Sequence, residues 1–304
     1  MKDMDKNRRE DNLDKEIDLL ELFYFIWDKK LQILLVSLFF GIVAAFYSLS
    51  LNNVYKSEAV LAPAYSSQQP SSDAFSGLGS LVGLNIPNQK ADKIVMGIEI
   101  MKSFNFFKKI SQKYDVLTPL LASESWDKKT NKLTFNKEII EEINELLKGN
   151  SSPSDLKLSM QKAHESFLGN LSIIQGKDGL IKISIIHISP FVAEKWVNIL
   201  INEINEISRE EDTSIAQESI NYLEMELANT QLIDLKESIT SLTTQQHEII
   251  MIAKSRPDYL FKVLSPPYAS ENKIGPYRTT YCIYAFLLGL FISSAYLLFR
   301  RFFK

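Results

Sequence analysis

Two uninterrupted apolar runs bracket the chain. Leu31–Leu51 and Thr279–Phe299 each hold 21 residues without a single charge. About twenty apolar residues cross the hydrocarbon core of a bilayer, so the pattern predicts two transmembrane helices. Between them the dominant feature is periodic. From Phe191 to Arg256 there are 66 residues with no Gly and no Pro, opened by Ser189 as an N-cap and Pro190 in the first turn. Apolar residues recur at steps of three and four through Val197, Leu200, Ile204 and Ile207. A charged patch follows at Arg209, Glu210, Glu211 and Asp212. The rhythm then returns through Ile215, Ile220, Leu223 and Leu227, and again through Leu232, Leu235, Ile239, Leu242 and Ile249. This is amphipathic helix, about 100 Å long if unbroken at 1.5 Å per residue.

Shorter elements fill the remainder. Glu16–Trp27 has Ile17, Leu20, Phe23 and Trp27 at helical spacing, the pattern of a helix lying on a membrane surface. Val54–Ala62 is β-rich and ends at Pro63. Pro63–Lys90 is a loop of Ser, Gln, Gly and Pro around the apolar stretch Gly77–Leu84. Helical periodicity resumes over Asp92–Tyr114, Phe135–Lys148 and Pro153–Leu168. Leu171–Gln175 and Leu180–Ile188 flank Gly176-Lys177-Asp178-Gly179, and Asp-Gly between apolar runs predicts a hairpin. Tyr259–Leu264 is a last strand. The order strand, helix, strand, strand, helix, strand is that of the ferredoxin-like fold, with helical insertions over 115–170 and along the second helix.

Chain reach constrains the long helix. The second span begins at Thr279, and the 22 residues from Pro257 to Arg278 reach at most about 75 Å. With Pro190 near the base, an unbroken helix would leave Arg256 about 100 Å away. The helix therefore folds back, and Ala228–Asp234 is the predicted turn, where Asn229 and Thr230 compete for backbone hydrogen bonds.

Charge sets the expected orientation. Lys29 and Lys30 precede the first span, and Arg300, Arg301 and Lys304 follow the second. Basic flanks stay in the cytoplasm, which puts both termini inside and residues 52–278 outside, an anchored, mildly acidic, disulfide-free domain that suits a bacterial periplasm. Residues 1–30 carry −2 and residues 300–304 carry +3 of a total of −3, leaving −4 for residues 52–278. A nucleic-acid partner calls for a basic face and is not expected. The single cysteine, Cys282, lies inside the second span, so packing alone holds the outer domain. A cleaved signal peptide is the alternative for the first run. The 30 residues before it, its length and the Asn52–Tyr55 that follow argue against cleavage.

No constellation points to catalysis. His164, His187 and His247 are scattered and share no metal-ligand spacing. The Gly176-Lys177 pair fails the phosphate-loop spacing. Neither an enzyme nor any catalytic, metal or cofactor residue is expected. Small residues do recur at four-residue spacing in both spans: Ser37, Gly41 and Ala45 in the first, Ala285, Gly289 and Ser293 in the second. Such spacing lets helices approach closely.

At this point the chain resembles the polysaccharide co-polymerases, the Wzz-type chain-length determinants. Tyr55-Lys56-Ser57-Glu58-Ala59 through Pro63 resembles the family's first strand, and the Gly-Leu repeats at 77–84 look like its loop. Ser189-Pro190 with Ala193, Asn198 and Asn205 resembles the start of its long helix. Asp258–Val263, followed by Pro266, Pro267 and Pro276, is similar to its last strand and Pro-rich approach to the second span. Ser265 and Ser270 depart from the family's pattern of an acid and a further Pro.

The resemblance implies a homo-oligomeric ring in the inner membrane. Such a ring sets the modal length of O-antigen or a related glycan made by a separate membrane polymerase, without cofactors. The expected organisation is an α+β membrane protein. It has a cytoplasmic segment (1–30), a first span (31–51) and a periplasmic ferredoxin-like α/β base with a helical insertion (52–190). A helical hairpin arm (191–257), the last strand and Pro-rich approach (258–278), the second span (279–299) and a short tail (300–304) follow. Ile204, Ile207, Leu223 and Leu227 are expected to pack the arm on its returning leg and on a neighbouring protomer. Two alternatives remain: a capsule or exopolysaccharide export co-polymerase working with a separate kinase, and a two-span membrane sensor. Five residues follow Phe299, and the chain has no phosphate-binding motif, so neither a kinase domain nor an output domain is expected on it.

Overall fold

The computed structural model describes residues 27–64, 89–148 and 159–302. The surface helix read over 16–26, the loop core at 77–84 and the helix start at 153–158 lie outside the described residues. Two compact units emerge, one of residues 1–53 with 274–304 and the other of residues 54–273.

The first unit holds two apolar helices, α1 (Lys30–Ser50) and, last in the chain, α9 (Arg278–Phe302). Both are long and apolar enough to cross a membrane. They pack against one another, with Gly289 of α9 against Ser37 and Phe40 of α1.

The second unit is built on a four-stranded antiparallel sheet of β1 (Tyr55–Pro63), β4 (Leu171–Gln175), β5 (Ile181–His187) and β6 (Phe261–Ser265). Its spatial order is β4-β5-β1-β6. Numbered among themselves these strands run 2-3-1-4, the split β-α-β arrangement of ferredoxin-like folds. Register is set by one apolar face. Tyr55 pairs with His187 and Leu61 with Ile181, so Ala59, Leu61, Ile181, Ile183 and Ile185 are buried on the same side. The β4–β5 turn follows its Asp-Gly signal: Gly179 takes φ +78°, and the Leu180 amide donates to Asp178 Oδ1.

Helices cover that face. α2 (Gln89–Lys102) and α3 (Phe104–Lys113) come from the stretch read as one helix. They are separate because Ser103 leaves helical backbone and its Oγ accepts the Phe106 amide as an N-cap. A short α4 (Leu117–Leu121) leads into a two-stranded hairpin of β2 (Ser123–Asp127) and β3 (Lys132–Phe135), where the sequence reading had only helical insertion. Phe135 is therefore strand. The next helix, α5 (Lys137–Lys148), begins after Asn136, whose Oδ1 accepts the Glu138 amide at 3.0 Å. α6 (Met160–Asn170) is capped by Ser159.

The long helical stretch divides into α7 (Pro190–Asn229) and α8 (Ile233–Ser255), and the break at 230–232 lies within the expected turn. α8 packs back along α7. The core sits where the first half of α7 crosses the sheet, with Trp196, Val197, Leu200 and Ile204 against Phe107, Phe167 and Phe261.

Candidate functional site

Polar side chains along the middle of α7 decide where base ends and arm begins. Glu203 is 3% exposed. Its Oε1 accepts from Lys113 Nζ at 2.5 Å and from the Tyr114 hydroxyl at 2.7 Å. Burial pushes the Glu203 carboxyl up, but the two donors outweigh it and hold the group below the usual carboxylate range. The same Glu203 hydrogen bond raises Lys113. Asn205, also buried, uses both ends of its amide. Oδ1 accepts the Leu260 and Phe261 amides at 2.9 and 2.8 Å, and Nδ2 donates to the Phe261 carbonyl at 3.0 Å. It thereby holds the start of β6 on α7.

The charged patch continues the attachment. Arg209 Nη2 donates to the Arg256 and Pro257 carbonyls at 3.1 and 2.7 Å. Asp212 Oδ2 accepts from the Tyr259 hydroxyl at 2.7 Å and from Lys93 Nζ at 2.9 Å. Lys109 lies 3.5 Å from Glu210. Residues 205, 209 and 212 share one helical face, and all three reach the segment 256–261 that returns from the arm. The sequence reading treated this patch as a pause in the apolar rhythm. Its spacing of four and three residues was the available signal.

Beyond this clasp α7 carries two apolar faces. Ala216 and Ile220 are buried and Leu223 and Leu227 half-buried on the side of α8. On the other side Ile215, Tyr222 and Met225 are 55%, 60% and 59% exposed. Of the four residues expected to pack the arm, only Leu223 and Leu227 lie beyond the clasp. Ile204 is fully buried in the base core and Ile207 packs against that core. The correction has a simple cause: the helical period runs unchanged through base and arm, so spacing alone does not mark the boundary.

The structure places Gly289 of α9 against Ser37 of α1, while Gly41 faces Phe286. A Cβ on Gly289 would stand 2.9 Å from Ser37 Cα and 3.2 Å from Phe40 Cβ. Ser37 and Ser293 are buried, and Gly41, Ala45 and Ala285 half-buried. Ser37 Oγ donates to the Ile33 carbonyl at 2.7 Å, so its hydroxyl is satisfied within the helix. In the Pro-rich approach, Pro267 is buried, Pro266 exposed, and the Gly275–Pro276 bond is cis. The Ser57 hydroxyl donates to the Tyr268 carbonyl at 2.9 Å, which ties the start of this approach to β1.

Two histidines have structural places. His187 is buried, with Nε2 2.9 Å from the Pro119 carbonyl and Nδ1 accepting the Ser189 amide at 3.0 Å. Burial lowers its pKa below the usual imidazole range, and the two contacts fit a neutral ring with its proton on Nε2. His164 lies 2.8 Å from the Lys102 carbonyl and packs on Phe104 and Phe107. His247 is exposed on α8. Among the described residues no three His, Cys, Asp or Glu side chains gather to hold a metal.

Comparisons with known proteins place this geometry in context. The family model described as Wzz, chain length determinant protein, matches residues 15–114. No curated protein matches the sequence. Among solved structures, a full-length bacterial polysaccharide co-polymerase aligns over 93% of this chain and 97% of its own, at 13% identity and a TM-score of 0.39. A fragment of WzzB, a polysaccharide co-polymerase from Salmonella Typhimurium, aligns over 73% of this chain and 100% of its own, at 11% identity and a TM-score of 0.26.

Proposed function

From the match of residues 15–114 to the chain length determinant (Wzz) family model, we propose that the chain is a non-catalytic regulator of polysaccharide chain length. It sets the modal length of O-antigen or a related glycan that a separate membrane polymerase makes. It sits in the bacterial inner membrane through α1 and α9, with both termini cytoplasmic and the 52–278 segment periplasmic, in keeping with the basic flanks of both spans. The family match carries this reading.

The arm supports the association of copies into a ring. Past Asp212, α7 turns one apolar face to α8 and leaves Ile215, Tyr222 and Met225 uncovered. Burying one such side chain is favourable by about 1.5–3 kcal/mol, and a neighbouring protomer offers a surface of the same chemistry. Small residues at the Gly289–Ser37 contact bring the two spans close within one protomer, and we assign Gly41 and Ala285 to the same packing.

Deleting the gene and resolving the cell's lipopolysaccharide on a gel tests the function. The expected outcome is glycan that is still polymerised but no longer clustered around one length. A length distribution identical to that of the parent strain refutes the role. A change confined to capsule or exopolysaccharide, with lipopolysaccharide untouched, transfers the activity to glycan export.

A further inference from the structure

The β2–β3 hairpin takes part in none of the roles described above. Its turn, Asp127 to Lys132, contains Lys128, Lys129 and Lys132, all exposed. None of the three has an ion-pair partner among the described residues. The turn is nevertheless ordered by its own bonds. Asp127 accepts the Thr130 hydroxyl at 2.7 Å and the Lys129 amide at 2.9 Å, and these bonds hold its carboxyl below the usual range. The Trp126 indole N–H donates to Asn131 Oδ1 at 2.9 Å, and Asn131 adopts φ 53°. The lysines are thus carried on a preformed loop with net charge +2.

A second observation ties this loop to the start of β1. The Trp126 ring stands edge-on to the Tyr55 ring at 5.2 Å and lies 6.4 Å from Phe191, which is 48% exposed. Tyr55 follows Ser50, the last residue of α1, by five positions. The backbone therefore keeps Tyr55 within about 18 Å of the end of that helix, whatever the arrangement. An aromatic cluster with lysines beside it, tethered this close to a span, has the composition of a membrane-interface anchor. Trp and Tyr settle at the headgroup level, and lysines are drawn to anionic lipid within a Debye length of about 10 Å.

We propose that the β2–β3 hairpin docks on the anionic phospholipid surface of the membrane that α1 and α9 cross, with Trp126 and Phe191 at the headgroup level and Lys128, Lys129 and Lys132 on lipid phosphates. The proposal rests on the reading of α1 and α9 as spans.

The test uses the full chain with Trp27→Phe, since Trp27 at the start of α1 would report on the bilayer by itself. The protein is reconstituted into phosphatidylcholine vesicles, with or without phosphatidylglycerol, containing headgroup spin-labelled lipid. Trp196 is buried in the base and serves as the unquenched reference. Quenching of Trp126 is expected to be about twofold or more stronger with phosphatidylglycerol. Raised salt should return it to the neutral-lipid level. Lys128→Glu, Lys129→Glu and Lys132→Glu together should do the same, and Trp126→Phe should abolish the quenchable signal. The salt arm needs no substitution in the hairpin, so it stands even if the charge-reversed variant folds poorly. Equal quenching in both lipids, or no response to salt, overturns the proposal. So does a Trp126 signal that answers to soluble pyrophosphate in neutral vesicles and not to phosphatidylglycerol. Release of the chain by an alkaline carbonate wash overturns the span reading as well. A retained chain with unquenched Trp126 overturns the hairpin's role alone.

Discussion

Ten of the twelve buried residues of α7 lie before Glu206, and only Ala216 and Ile220 lie after it. Both halves belong to one continuous helix. The first half crosses the sheet and is covered by α3, α6 and β6 as well. Beyond Asp212 the helix packs on α8 and leaves Ile215, Tyr222 and Met225 exposed. Helical structure alone is thus a poor guide to stability, because tertiary burial stabilises a helix more than propensity does. The base half is a structural member. The arm half has surface to give to another molecule.

Substitutions along this one helix test the contrast, beginning with the strongest. Ile204→Ala removes a fully buried side chain from the base core and should cost about 2–5 kcal/mol. A large downward shift in the thermal transition followed by Trp196 emission is the check. Asn205→Ala comes next. It strands two buried amides and one carbonyl at the start of β6, each worth about 1–3 kcal/mol when unsatisfied. Asn205→Asp should recover only part of the loss, because it keeps the acceptor but not the donor to the Phe261 carbonyl.

A smaller effect follows from His187, which anchors the base just before α7 begins. Its pKa is lowered by burial, so the unfolded chain takes up this proton more readily than the native one. Stability from this group is present above about pH 6.5, the unfolded value, and is lost as pH falls through and below it. Thermal unfolding measured at descending pH should show that loss. His187→Gln should flatten the slope while lowering stability at neutral pH.

The smallest effect on stability is expected in the arm. Leu223→Glu with Leu227→Glu alters half-buried positions outside the base core, so the base transition should move by less than about 1 kcal/mol. The glycan should nonetheless lose its narrow length distribution on a lipopolysaccharide gel. An unchanged distribution would mean that length is not set in the arm. A collapse of the Trp196 transition would mean that base and arm are one cooperative unit and that the contrast between them is wrong.

Much of this division was legible in residue pattern. The two apolar helices, the two strands around the Asp-Gly turn, the first strand and the fold-back of the long helix all follow from local signals or chain reach. The hairpin over 123–135 was not legible. Its strands have five and four residues, and Trp126, Leu133 and Phe135 are their only large apolar side chains, too few to set a two-residue period. The break at Ser103 was hidden for a different reason: an N-cap serine does not interrupt apolar spacing, so α2 and α3 read as one.

Sequence by itself determined which segments are apolar enough to leave water, which turns are sharp and how far each linker reaches, because these depend on side-chain type and covalent geometry. Tertiary structure alone decided that Glu203, Asn205, Arg209 and Asp212 act together. Their partners at 93, 113–114 and 256–261 are about 50–120 positions away along the chain, and a hydrogen bond across that interval exists only after the sheet and helices have brought its ends together. The same holds for Ile204. Its spacing matches that of Leu223, and only the presence of Phe261 and the sheet beneath it makes one a fully buried core residue while the other stays half-buried in the arm.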